Sequence, residues 1–100
     1  MYIDTADFNR VTFALCEGKK LQKQTYKVDP QKSHQTLGKL EEFLERLKIK
    51  DFRFKKIYVN KGPGSYTGVR VGLVMAQALG LSWGAKVVPK SKPEMTKLLK

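Results

Sequence analysis

The chain has 100 residues, 41% hydrophobic and 29% charged, with 20 Lys and Arg against 9 Asp and Glu. That size and composition fit one globular α/β domain and exclude wholesale disorder. No apolar run approaches the roughly 20 residues of a spanning helix, and the single cysteine, Cys16, excludes an internal disulfide. Asp4 and Asp7 stand where a secretory signal needs a basic stretch and an apolar core, so the expected setting is cytosolic. The net charge of +11 attracts polyanions, nucleic acid first among them. The lysines are nevertheless dispersed, and aromatic residues do not recur among them at the spacing of a stacking platform. A direct RNA-binding module and a lysine-rich solvated surface both stay open.

Tyr2 and Ile3 open a short apolar segment that stops at Asp4-Thr5. Val11, Phe13 and Leu15 alternate with Thr12, Ala14 and Cys16, the period of a strand with one face in a core. Glu17-Gly18-Lys19 reads as a tight turn, and residues 21–28 as the returning strand of a hairpin. That strand is rich in Lys and Gln and suits an exposed edge. Ser33 or Thr36 caps a helix expected to run to about Lys48, with Leu37, Leu40, Leu44 and Leu47 on one face. Ile57, Tyr58 and Val59 predict a short interior strand. A long helical pattern follows the glycine turn and runs to Trp83, stopped by Gly84, and Val87-Val88-Pro89 predicts a last strand. The tail, residues 90–100, adds one helical turn or frays. Five strands alternating with helical patterns predict a mixed five-stranded sheet with helices packed on it.

The turn Gly62-Pro63-Gly64-Ser65-Tyr66-Thr67-Gly68 joins a strand to a helix, the layout that offers free backbone N–H groups to an anion. Gly62, Gly64, Ser65, Thr67 and Arg70 are the candidate anion-binding residues, with Ser65 or Thr67 as helix cap. The phosphate motifs fail on spacing. Gly68 is followed by Val69 where a Walker loop needs Lys and Ser or Thr, and residue 67 is Thr where a dinucleotide fingerprint needs its third Gly. A sharp turn into a closely packed helix explains the same residues. Within that helix Gly68, Gly72, Ala76, Gly80 and Gly84 recur every four residues and form one narrow strip. Each interior Gly costs about 1 kcal/mol of helix propensity, so the strip needs a packing reason. Its neighbour is either the chain's own sheet or a helix of another chain.

The run from Lys61 through Gly62-Pro63-Gly64-Ser65-Tyr66-Thr67-Gly68-Val69-Arg70-Val71-Gly72 resembles the signature of the TsaB (YeaZ-type) family, subunits of the complex that makes threonylcarbamoyladenosine on tRNA. Ile3-Asp4-Thr5, Val11 to Leu15, Ser33-His34 and Ile57 to Val59 follow in the family's order. The resemblance implies a single actin-like ATPase (ribonuclease-H-like) lobe over residues 1–100, with the family's second lobe absent. Asp4-Thr5 matches the first phosphate loop, but without a second lobe a plain turn role for Asp4 is the better reading. The resemblance also implies no catalytic residue and no metal or cofactor of its own, ATP and metal residing on the catalytic paralogue TsaD. His34, the only histidine, is expected to cap or face solvent.

The implied role is a non-catalytic partner that binds a TsaD-like protein through its helices. The interface expected is Leu37, Leu40, Leu44, Leu47, Gly68, Val69, Gly72, Leu73, Ala76 and Leu79. Enlarging Gly72 or Ala76 is then expected to break assembly and leave the fold intact. A TsaE-like ATPase and tRNA would join through the complex, and the free chain would pair with itself as a homodimer; no membrane partner is expected. The alternative is a basic RNA- or tRNA-binding module that acts without that partner.

Overall fold

A computed structural model describes residues 1–7, 9–17, 20–29, 35–47 and 55–98, with the backbone alone at 17 and 20. Strand β1 (Tyr2–Asp4) is followed by β2 (Arg10–Glu17) and β3 (Lys20–Lys27), then helix α1 (Gln35–Arg46). Strand β4 (Lys56–Asn60), helix α2 (Tyr66–Trp83), strand β5 (Lys86–Lys90) and helix α3 (Lys92–Leu98) complete the order. The sheet runs β3-β2-β1-β4-β5. The first three strands form an antiparallel meander, and β4 and β5 add to β1 in parallel. Lysine-rich β3 and Pro89-bearing β5 are the two edges, where a missing ladder donor is tolerated.

Strand alternation sorts the side chains onto two faces. Ile3, Phe13, Leu15, Ile57 and Val59 are fully buried on one face, against Leu40 and Phe43 of α1 and Ala76 of α2. Phe13 and Phe43 meet with ring centres 5.9 Å apart. Burying each large apolar side chain here contributes roughly 1.5–3 kcal/mol. On the opposite face Ala14 and Met95 of α3 are buried, flanked by Tyr2, Leu21 and Tyr58. Tyr2 and Tyr58 stack at 5.1 Å and 16° across β1 and β4.

Two boundaries differ from the sequence expectation, the start of α1 and the tail, while the start and stop of α2 fall where the sequence put them. Thr36 is buried within α1, where no capping side chain would sit; Ser33, His34 and Lys48 lie outside the described residues. Ser65 caps α2, its hydroxyl accepting from the Gly68 N–H at 3.2 Å, and Gly84 ends the helix in the left-handed conformation at φ +67. The tail forms α3 in full. Ser91 and Glu94 close a capping box over its first turn: the Ser91 N–H donates to Glu94 Oε1 at 3.2 Å, and the Glu94 N–H to Ser91 Oγ at 3.5 Å.

Candidate functional site at the glycine turn

The carboxyl ends of parallel strands β1 and β4 lie side by side, and the turns leaving them meet. In open sheets that edge is where ligands are usually held. Asn60 ends β4 and is fully buried, which obliges both ends of its amide to find partners. Its Nδ2 donates to Asp4 Oδ1 at 3.0 Å, and its Oδ1 accepts from the Gly62 N–H at 2.8 Å. Asp4 Oδ1 also accepts from the Ala6 N–H at 3.2 Å, a local turn closed by the side chain. Asp4 is thus half-buried and tied to the glycine turn, more than a plain surface-turn residue. Asn60 did not stand out in the sequence. Its signal is a polar residue ending an apolar strand before Gly, one of many turn patterns.

The glycines are taken up by packing. Gly62 sits at φ +99, a backbone conformation that disfavours side chains. Gly64 lies against the neighbouring turn: a Cβ there would stand 2.6 Å from the Ala6 carbonyl oxygen. The same Ala6 oxygen accepts from the Ser65 N–H at 2.6 Å. At Gly68 an added Cβ would strike the Thr5 carbonyl, and at Gly72 the Thr5 hydroxyl. Thr5 is buried, and its hydroxyl donates to the Gly68 carbonyl at 2.5 Å. Gly80 continues the strip against Val87 of β5, 2.9 Å from where its Cβ would be. The strip is the seam between α2 and its own sheet.

The candidate anion residues therefore do not converge as one group. Ser65 is spent on the Gly68 N–H, while Gly62 and Gly64 join the β1 and β4 ends. Arg70 lies over the Tyr66 ring at 5.4 Å and donates to its hydroxyl at 3.2 Å, out on the helix surface. Thr67 is exposed and, with Ser65, Thr5 and Thr36, lines a small open cleft between the α2 start and the α1 start. Asp7 and Asp29 also line that cleft, an arrangement that opposes an anion in it. Among the described residues, no group of three His, Cys, Asp or Glu side chains comes together as a metal site.

The expected interface residues divide by depth. Leu40 and Ala76 are buried in the chain's own core, as is Gly72 beneath Thr5. Enlarging Gly72 or Ala76 would disturb the fold itself, which corrects the expectation that such changes spare it. Leu44, Leu47, Leu73 and Leu79 are half-buried against that core, and Val69 is also half-buried. Gly68 is occupied by Thr5. Among the described residues, the large apolar side chains left outward are Leu37 of α1, Tyr66, Val74 and Leu81 of α2, and Leu98 of α3. Tyr66, Val74 and Leu81 are 75%, 65% and 88% exposed, so Val74 and Leu81 add little to the core and Tyr66 meets Arg70 at the surface. They recur at spacings of eight and seven, so they line the side of α2 away from the sheet. No helix among the described residues is long and apolar enough to cross a membrane.

A five-stranded sheet in this order, with α1 and α2 on one face and α3 on the other, defines a ribonuclease-H-like lobe of the α/β class. Residues 26–95 match the family model described as TsaD: tRNA N6-adenosine threonylcarbamoyltransferase, and the chain belongs to that family. No curated protein matches the chain. Among solved structures it is similar to YeaZ from Pseudomonas aeruginosa, with a TM-score of 0.77 and 20% identity. That match covers 90% of this chain and 42% of the solved one. A second solved structure, described as an uncharacterized protein with similarity to peptidase YEAZ from Pseudomonas aeruginosa, gives the same score and identity, with 41% of its length covered. The chain thus spans less than half the length of the solved proteins it matches, and at this identity the likeness is one of fold. The signature resembles TsaB, whereas the family model that matches is that of its catalytic paralogue.

Proposed function

We propose that the chain is a non-catalytic subunit in tRNA N6-threonylcarbamoyladenosine modification, a TsaB-like first lobe that docks on a TsaD-like catalytic protein. The observation that carries this reading is the outward stripe Tyr66, Val74 and Leu81 on α2, joined by Leu37 on α1. Apolar side chains aligned on one helix face and left to water mark an assembly surface. The glycine turn supports the reading because its N–H groups are used within the chain: Gly62 donates to Asn60, Ser65 to Ala6 and Gly68 to Ser65. ATP and metal then belong to the partner, and a TsaE-like ATPase and tRNA join through it. Without the partner, two copies of the chain would pair through the same stripe.

The test is co-purification with the TsaD-type protein of the same organism, using Val74→Gln/Leu81→Gln. Both positions are exposed and Gln suits a helix, so the thermal midpoint should not fall. Loss of two central apolar contacts should weaken capture at least tenfold. Undiminished capture by the folded variant would refute this interface.

A further inference from the structure

The dispersed lysines of the sequence are gathered by the fold. Register and alternation decide which face each strand residue takes, and two contacts fix the parity. Tyr2 stacks on Tyr58, and the Thr12 and Thr25 hydroxyls meet at 2.9 Å, all on the face that α3 covers in part. Counting by twos from these residues places Arg10, Lys23, Lys27, Lys56, Lys86 and Lys90 on that same face. These are all the strand Lys and Arg residues whose side chains are described. Of the exposed acids, Glu41, Glu42 and Glu45 lie on α1, across the sheet, and on the α3 side Glu94 pairs with Lys90 at 3.6 Å. The molecule is electrically two-sided.

The basic face contains two pairs that folding alone would avoid. Lys56 of β4 is in register with Lys86 of β5, and Arg10 of β2 with Lys27 of β3. Like charges directly opposite each other on one face repel. None of these four side chains has an acidic partner among the described residues. Lysine on an edge strand deters pairing with other chains, which accounts for Lys86. It does not account for Lys56, which sits on an interior strand. A bound polyanion would offset the repulsion at both pairs.

We infer that the α3-side face of the sheet, centred on the Lys56–Lys86 pair and extended by Lys90, is a contact surface for the phosphate backbone of RNA. From Lys86 to Lys90 the strand runs roughly 13 Å, enough to meet more than one phosphate. A membrane would call for apolar residues beside the charges. Leu37, Val74 and Leu81 are on the other side, on α1 and α2, and on the α3 side only Leu98 is an exposed large apolar residue among those described. An added acidic strand would call for an unbroken ladder of donors along β5, which Pro89 interrupts. The surface goes beyond the partner stripe and takes from the proposed function only the nature of the polyanion. Its test uses the chain alone, so its failure leaves the partner reading untouched.

The experiment titrates labelled tRNA with the full chain from 50 to 200 mM salt, beside Lys56→Ala/Lys86→Ala and a control, Lys39→Ala/Arg46→Ala. The control removes the same charge from α1. Two lost phosphate contacts should lower the slope of log affinity against log salt by roughly 1.5 and the affinity at 0.1 M salt about tenfold. The control should bind as the parent chain does. The thermal midpoint of Lys56→Ala/Lys86→Ala should hold or rise, because a repulsion has been removed. Three results would overturn the inference. They are no binding of tRNA at 50 mM salt, an equal loss in the control, and equal affinity for polyglutamate or for phosphatidylserine vesicles.

Discussion

At the scale of single residues, the two interior glycines of different helices separate two reasons for a Gly in a helix. Gly38 in α1 has open space where its Cβ would be, whereas Gly72 in α2 has the Thr5 hydroxyl. Gly38→Ala should therefore stabilise the fold by about 1 kcal/mol, the gain in helix propensity. Gly72→Ala gains the same propensity but must displace Thr5, whose hydroxyl holds the Gly68 carbonyl. Overpacking costs about 1–3 kcal/mol, so the net effect should be a loss of up to about 2 kcal/mol. Urea unfolding of the two variants checks this, and a gain at Gly72 would show that the seam has slack. The four-residue strip was legible in the sequence because a periodic cost in propensity has to be offset somewhere. Which neighbour offset it was not legible, since Thr5 is 67 positions away and no local pattern points to it.

At the scale of elements, α3 depends on its first turn. Ser91 donates its hydroxyl and its backbone N–H to Glu94, at 2.8 and 3.2 Å, and Lys90 lies 3.6 Å from the same carboxylate. The Ser91 hydroxyl first, then the backbone N–H and Lys90, hold Glu94 below its ordinary value of 4.5. A carboxylate lowered by folding contributes stability above 4.5, and loses it as pH falls through the folded value. The protection of α3 amides, taken relative to the intrinsic exchange rate at each pH, should thus fall on acidification below about pH 4.5, ahead of that in α2. Ser91→Ala should raise the Glu94 carboxyl titration toward its ordinary value, as read by NMR, and an unmoved titration would discount the capping box. This box was legible: Ser91-Lys92-Pro93-Glu94 has its spacing, yet a seven-residue tail segment carries too little periodicity to be read as a helix. By contrast α2 announced itself through length, a Ser cap and a Gly stop. Its exposed stripe was not separable from its buried strip, because apolar residues occur on both sides of the helix.

At the scale of the whole molecule, the sheet divides two surfaces that no linear pattern could sort. Composition showed the excess charge, but face depends on register, and one residue of slip would move every lysine to the other side. Local signals therefore mark the strands and helices, while the polarity across the sheet exists only once β3, β2, β1, β4 and β5 are paired. The division makes a joint prediction. The apolar stripe of α2 lies on the helix side away from the sheet, whereas Lys56 and Lys86 lie on the opposite, α3-side face of that sheet. Distant sites without shared partners add to within about 0.5 kcal/mol. Val74→Gln/Leu81→Gln should accordingly weaken capture of the TsaD-type protein and leave tRNA affinity as it was. Lys56→Ala/Lys86→Ala should do the reverse, and the fourfold variant should show both losses unchanged. The Gln substitutions carry no charge, so they cannot act on RNA at long range. A coupling above about 1.4 kcal/mol, a tenfold departure from additivity, would mean that partner and RNA use one continuous surface. The two-sided reading would then give way to a single interface wrapped around the β5 edge.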